Sequence, residues 1–289
     1  MTPAQARTFH MVAVAGSFTA AAKSLHLSQP TLTHQVKLIE RRYNVELFHR
    51  TSRGVRLTAT GAGLLAIVRR MFAGYDEAVA FLEEVHGMRQ GHLRVGSYEP
   101  YDLSRMLARF IERYPGIQVS ARFANSPDLS SRLMQYELDV AVLAGSEHRK
   151  EFLAMPFRRP RLIAIAARNS TWAKRDSVRP ADFASQTLIV REAGSTARQA
   201  FEQLLLEAGI SKARHFEFNS REGVLSAVAA GMGISAIFDE GLLPEDRIVR
   251  LPIKGCNIRS NIEVACLKER RNSAPIRAFL GIAKELVAA

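Results

Sequence analysis

The sequence predicts a chain in three parts: an N-terminal all-α unit carrying a winged helix-turn-helix, a long linker helix, and a C-terminal α/β half of two similar lobes. Three observations predict it. Residues 17–39 hold two helix-forming stretches joined by a tight turn. From 58 to 88 apolar residues return at alternating spacings of four and three, a period of 3.5. Beyond residue 91 short apolar strands alternate with amphipathic helices, the pattern of a parallel sheet covered by helices.

The first short helix reads Phe18 to Leu25, with Ser17 placed to cap it and Ala20, Ala21 and Ala22 small enough for another helix to approach closely. His26-Leu27-Ser28 forms the turn. The second helix reads Gln29 to Ile39, opened by Ser28 as cap and by Pro30 in the first turn, where a missing N–H costs nothing. Leu32, Val36 and Ile39 fall at helical spacing and face the core. Thr31, Thr33, His34, Gln35 and Lys37 remain outside, a hydrogen-bonding set with no acid in it. Base edges offer donors, acceptors and thymine methyls, so this face suits the major groove. The plainer reading is a solvated face on a helical hairpin.

The next stretch favours the first reading. Between 41 and 58, Arg41, Arg42, Arg50, Arg53 and Arg56 stand against Glu46 alone. His49 to Thr58 reads as a two-stranded wing with Gly54 at its tip, able to follow the DNA backbone or enter the minor groove. Residues 1–58 carry eight basic and two acidic side chains, so half of the net charge of +12 sits in one fifth of the chain. Binding to a polyanion through such a surface weakens steeply with salt.

These residues resemble the LysR-type transcriptional regulators. The matching positions are Ala20-Ala21-Ala22, the run from Ser28 to Thr33, the helix end at Glu40, Leu47-Phe48-His49-Arg50, and Arg56-Leu57-Thr58 followed by Gly61. The resemblance implies that Gln29, Pro30, Thr33 and His34 enter the major groove and that Arg53 lies near the minor groove. His34 varies within the family pattern, which makes it a candidate for base preference. The expected DNA-contacting set is Ser28, Gln29, Pro30, Thr31, Thr33, His34, Lys37, Arg50 and Arg53.

From Thr58 to about Met88 the pattern is one helix, with Leu64, Val68, Met71, Tyr75, Ala78, Leu82 and Val85 along one seam. A lone helix of that length has no domain to cover its stripe, so a second copy of the chain is the economical partner; packing on its own domain is the alternative. Gly74 weakens the helix but leaves room beside the seam. The resemblance implies the same dimerising role, and implies a homodimer or homotetramer.

In the C-terminal half, strands are expected at 92–96, 117–124, 140–143, 162–166, 187–190, 215–218, 234–238 and 262–267. Helices are expected at 103–114, 129–136, 196–208, 222–230 and 276–287. The alternation leaves several α/β folds open; the resemblance implies a two-lobed, periplasmic-binding-protein-like one. The expected domains are 1–58, 59–90 and 91–289, with lobe 1 at about 91–160 and 267–289 and lobe 2 at about 161–266.

Ligands in such folds sit at the carboxyl ends of strands, between lobes. Arg191 to Arg198 follows a strand and opens a helix through Gly194, Ser195 and Thr196, a place where free N–H groups and hydroxyls suit a carboxylate, phosphate or phosphonate. Plain helix capping is the commoner role of such a triplet. Ser97, Tyr98 and Glu99 mark the facing edge, Asn125 ends a strand, and Arg221 opens another helix. Arg221 suits an anion and Glu99 an amine, so the expected effector is small, polar, and anionic or zwitterionic. The Ser220-Arg221-Glu222 run and the Tyr98 loop faintly resemble regulators of aminoethylphosphonate breakdown.

Other classes fare worse. The eight histidines show no metal-ligand spacing, and no phosphate-loop or nucleophile-elbow pattern occurs, so an enzyme, a cofactor and a metal are not expected. Cys256 and Cys266 are in no redox spacing and read as reduced thiols. No signal peptide and no long apolar span are legible, so a cytoplasmic protein without a membrane partner is expected. A solute-binding protein without a DNA target is the alternative to a regulator whose partners are double-stranded DNA and a small effector.

Overall fold

The computed structural model describes residues 1–51, 54–85, 91–145, 149–210, 214–239 and 246–288. It divides into two compact units, Met1–Phe81 and Leu82–Ala289.

The first unit opens with a helix not expected from the sequence pattern, α1 (Pro3–Ala15), held by a capping box between Thr2 and Gln5. Then come α2 (Phe18–Leu25), capped by Ser17, and α3 (Gln29–Tyr43), capped by Ser28 and closed by Asn44 in the left-handed conformation. The wing is β1 (Phe48–Thr51) paired antiparallel with β2 (Gly54–Leu57). Phe48 ties the wing to the helices, 5.4 Å from the Phe9 ring and 5.8 Å from that of Phe18. Leu32, Val36 and Ile39 are buried as their spacing required. Glu40 at the end of α3 accepts the Leu47 N–H at 2.9 Å, which fixes the entry to the wing.

Gly54 stands at the tip end of the wing, as expected, and has a second task there. It lies in β2 opposite Thr51 with φ at +135°, and Val55 donates its N–H to the Gly16 carbonyl at 2.9 Å. A Cβ on Gly54 would stand 2.4 Å from that same carbonyl oxygen, so the glycine is there for close approach to the α1–α2 turn. Arg53 and the side chain of Arg50 lie outside the described residues.

Helix α4 (Ala59–Val85) has 27 residues, about 40 Å at 1.5 Å per residue; the expected extension to Met88 lies outside the described residues. Its first turns bury Leu65 and Val68 against Phe9, Ile39 and Leu47. Further along, Met71, Tyr75 and Leu82 of the expected seam are exposed, together with Ile67, Val79 and Phe81. One stretch of the stripe serves the domain, and the rest is exposed among the described residues.

The second unit begins with β3 (His92–Ser97), α5 (Pro100–Arg113), β4 (Gln118–Phe123), α6 (Ser126–Met134), β5 (Val140–Ala144) and β6 (Phe152–Arg158). Next come β7 (Leu162–Ala167), β8 (Leu188–Arg191), α7 (Thr196–Glu207), β9 (His215–Phe218), α8 (Arg221–Ala229), β10 (Ser235–Phe238) and β11 (Ile248–Pro252). The chain then returns through β12 (Ile262–Leu267) and ends in α9 (Ala274–Ala288). The first lobe holds a five-stranded sheet of order β4-β3-β5-β12-β6; the second holds β10-β7-β11 and β8-β9. A bridge from Leu188 to Ile234 joins the latter pair to the start of β10, so both lobes repeat one plan.

Two expectations are corrected. The sheets are mixed: β3 runs parallel to β4 and β5, whereas β12 runs antiparallel to β5 and β6, and β7 to β10 and β11. Strands β7 and β12 each arrive from the opposite lobe and enter against the local direction. The second crossing lies near 258–261, not 267, because β12 belongs to the first sheet. There the crossings pair with each other, Leu162 N–H to Ile258 carbonyl at 3.0 Å and Ser260 N–H to Pro160 carbonyl at 3.1 Å. Strands β6 and β11 were not anticipated; each contains a proline (Pro156, Pro252), and each lies at a sheet edge, where proline is tolerated.

His10 in α1 packs its ring 5.7 Å from Phe72 of α4. Burial, reinforced by the charge of Arg69, pushes its pKa from 6.5 down to about 4. The folded unit therefore keeps His10 neutral while the unfolded chain protonates it, so stability falls as pH drops from 6.5 towards about 4. Acid titration of unfolding should show that slope, and His10→Gln should flatten it; an identical slope in the variant would exclude His10 as its source.

Candidate functional site

Two surfaces collect the residues singled out by the sequence. The first is α3. Ser28 caps it, its Oγ accepting the Thr31 N–H at 3.2 Å and lying 2.7 Å from the Thr31 hydroxyl. Gln29 donates to the Thr33 Oγ at 3.2 Å, and Thr33 donates to the Gln29 carbonyl at 3.0 Å, so the pair holds itself in place. Gln29, Pro30, Thr33, His34 and Lys37 line one shallow depression, completed by Leu38 and Arg41, which lie outside the set expected from sequence. Leu38 escapes notice because the core spacing needs Leu32, Val36 and Ile39, and no apolar residue is expected outside it. Gln35 goes the other way: it accepts a hydrogen bond from Thr8 of α1 and is turned inward. Thr31 is exposed beside the depression.

The second surface is the cleft between the lobes, with about 460 Å³ of empty space that includes open solvent. Tyr98, Asn125, Ser126 and Ala144 line it from the first lobe. From the second lobe come Arg191, Ser195, Thr196 and Arg221, with Ile237 and Phe238 as an apolar floor.

The helix ends around this space are not equivalent. Glu99 caps α5, Asn125 caps α6 and Ser220 caps α8, each accepting a backbone N–H through its side chain. Ser195 makes no such bond at the start of α7, although it is almost fully buried. The positive end of a twelve-residue helix thus faces the cavity without a side-chain cap. Thr196 donates its hydroxyl to the Ala144 carbonyl at 3.1 Å, linking the two lobes at the rim. Gly194, with φ at +91°, passes so close to Asn125 that a Cβ there would stand 3.4 Å from its Nδ2.

The cations are held differently. Arg191 forms a two-pronged ion pair with Glu192 at 2.7 and 3.0 Å. Arg198 pairs with Glu202 and Glu217 and also bonds the Arg191 carbonyl, which keeps it off the cavity wall. Arg221 is buried, lines the cavity and donates to the Phe238 carbonyl at 3.2 Å.

Of the residues expected at the effector site, the structure brings Tyr98, Asn125, Ser195, Thr196 and Arg221 to one cavity, with Gly194 beside Asn125. It does not put Ser97 or Glu99 on the wall. Ser97 is fully buried and donates to the Glu99 carbonyl at 2.6 Å. Both Glu99 carboxylate oxygens cap α5, accepting from Tyr101 at 2.7 Å and Asp102 at 2.9 Å, so the carboxylate expected to hold an amine is committed to its own helix. Burial pushes the Glu99 and Asp102 carboxyls above their usual range. Arg191 is legible in sequence only as the start of the Gly-Ser-Thr segment, and the apolar floor gives no signal distinct from an ordinary core strand.

Among the described residues no group of three His, Cys, Asp or Glu could hold a metal ion, and no helix is long and apolar enough to cross a membrane. Cys266 is buried in the first sheet, which pushes its thiol up to about 11, and Cys256 packs against the core of the second lobe.

Residues 3–62 match the family described as bacterial regulatory helix-turn-helix protein, lysR family, and residues 86–288 match the LysR substrate binding domain. The chain is 30% identical over 277 residues to the HTH-type transcriptional regulator CbbR of Rhodospirillum rubrum, covering 94% of this chain and 92% of that protein. The regulatory domain of CcmR from Synechocystis PCC6803, solved in complex with 2-PG, is 26% identical with a TM-score of 0.62, over 68% of this chain and 98% of that one. A full-length OxyR variant from Pseudomonas aeruginosa has a TM-score of 0.74 at 20% identity, over 98% of this chain and 95% of that one, a likeness of fold.

Proposed function

The chain belongs to the LysR family of bacterial helix-turn-helix regulators, and we propose that it reads DNA through α3 and the wing and answers to a small anion held between its lobes. One observation carries the anion: Arg191, Arg221 and the uncapped start of α7 converge on a single cavity. The 2-PG bound to the related CcmR domain has the same chemical character. The phosphonates suggested by the Ser220-Arg221-Glu222 run belong to that class too. No amine partner is part of the proposal, because Glu99 is taken up by capping.

The proposal keeps the division into a DNA-binding part (1–58), a linker (59–90) and a regulatory part (91–289), with the lobe limits moved to the crossings described above. The exposed apolar stripe of α4 supports a homodimer, since a stripe that size favours cover by a second copy. A pair of such chains presents two α3 helices to two half-sites, and tetramers would join two such pairs. Effector binding closes or shifts the lobes, and that change resets the spacing of the DNA-reading units. Catalysis has no part in this scheme, and the place of action is the cytoplasm, where the DNA is.

The test is DNA binding to the promoter region beside the gene, followed by anisotropy across a salt series. Binding should exceed that to random DNA and fall steeply with salt. Gln29→Ala and Thr33→Ala should each relax the preference by about 1–3 kcal/mol, whereas Arg53→Ala should weaken specific and random DNA alike. Equal losses on both DNAs for all three variants would contradict this division of roles.

For the cavity, Thr196→Val and Ser195→Ala should leave DNA affinity unchanged without effector and weaken the response to 2-PG by about tenfold or more. An undiminished response in both would remove the start of α7 from the site.

A further inference from the structure

The two crossings between the lobes form a short ladder of their own. Leu162 donates its N–H to the Ile258 carbonyl, Ser260 to the Pro160 carbonyl, and Arg161 and Arg259 are antiparallel bridge partners. Ile262 stands opposite Arg158, so one register runs from 158 and 262 to 162 and 258. Alternation along such a pair sorts its side chains onto two faces. Leu162, Ser260 and Ile262 lie buried on one face. Arg159, Arg161 and Arg259 fall on the other, and all three are exposed.

That outward face brings like charges together. Arg161 and Arg259 sit between two hydrogen-bonded pairs, the position where opposed Cα atoms come within about 4.5 Å and their side chains lie closest. Like charges directly opposite one another are destabilising. Arg259 also donates from Nη1 to the Arg159 carbonyl at 3.2 Å, which holds its guanidinium against the outgoing crossing. Other arginines in this half are given acids. Arg158, the neighbour on the inward face, pairs with Asp102 at 3.0 Å, Arg191 with Glu192, and Arg198 with Glu202 and Glu217. Arg159, Arg161 and Arg259 form no ion pair among the described residues.

We propose that the outward face of the crossings is a second anion site, where Arg159, Arg161 and Arg259 take a small, multiply charged oxyanion of the phosphate or polyphosphate class. Guanidinium groups present paired N–H donors that match phosphate oxygens, and they stay charged. Three of them on one face favour a ligand with more than one negative charge. A duplex carries its charge along its whole length and needs a longer track than this patch offers. None of the three lines the cleft cavity, so the site is separate from the cleft and does not depend on how the cleft is read. The anion bridges the outgoing crossing, through Arg159 and Arg161, to the returning one, through Arg259. Its charge offsets their repulsion, which ties occupancy to the stability of the two-lobed half.

The experiment is calorimetric titration and thermal unfolding of the full chain with inorganic pyrophosphate at low salt. The chains compared are the unsubstituted one, Arg161→Gln, Arg259→Gln, and Arg221→Gln as the control for the cleft. One component of binding should weaken about tenfold or more in Arg161→Gln and in Arg259→Gln, and persist in Arg221→Gln. Pyrophosphate should raise the Tm of the unsubstituted chain more than that of either crossing variant. Without pyrophosphate, Arg161→Gln should unfold at a higher temperature than the unsubstituted chain, because one of two opposed charges is gone. Unchanged affinity and an unchanged rise in Tm in both crossing variants would overturn the proposal. Loss of all pyrophosphate binding in Arg221→Gln would overturn it as well, since the anion would then sit in the cleft. Weakened DNA binding in Arg259→Gln with pyrophosphate binding intact would assign the patch to DNA and overturn it too.

Discussion

After Arg158 the chain leaves the first sheet, builds a second, and comes back to place β12 between β5 and β6. Every residue of β12 is buried, and it is hydrogen-bonded along both edges. Withdrawing it would split the first sheet and open its core, so the return is obligatory. With both ends of the second lobe anchored to the first, the two crossings must lie side by side, and the lobes face each other across one cleft. The loops that leave β3, β4, β5 and β8 then empty into a common space, which is why Tyr98, Asn125, Ala144 and Ser195 meet though they are far apart in the chain.

Within that frame the two functional surfaces solve opposite problems. Helix α3 has to be stable while keeping its polar face unspent. It buries Leu32, Val36 and Ile39, and lets Gln29 and Thr33 hold each other, a bond that the proposed reading of DNA would exchange for one to a base edge. The cleft has to keep positive charge in a confined place. It ties Arg191 to Glu192, diverts Arg198 to Glu202 and Glu217, and leaves Arg221 on the cavity wall, bonded to the Phe238 carbonyl. Bonded cations that are already partly neutralised give a site that can release its ligand as well as take it.

Much of this is readable from residues alone, and the exceptions share a cause. Local periodicity and capping chemistry locate α2, α3, the wing, α5 to α9 and the buried strands, because those signals act within a few residues. What depends on distant partners is lost. Gly54 is legible at the tip of the wing but its close approach to α1–α2 is not, since nothing nearby in sequence reveals the Gly16 carbonyl 2.4 Å from where its Cβ would be. The strands β6 and β11 are hidden by prolines that only their edge positions excuse. Strand direction is misread because β7 and β12 come from the other lobe. In the cleft, Ser195, Thr196 and Arg221 announce themselves as helix-opening residues, and so does Glu99. Only the fold shows that the first three face the cavity while Glu99 turns back on its own helix. Helix-opening chemistry is legible in sequence; which space the helix opens into is not.

The central claim is that one anion is gripped from both lobes at once. Hydrogen exchange of backbone amides, compared with and without saturating 2-PG, tests it most directly. Protection should rise together at the start of α7 in the second lobe and at the start of α6, around Asn125 and Ser126, in the first. Protection confined to one lobe, or appearing only away from the cleft, would contradict the account.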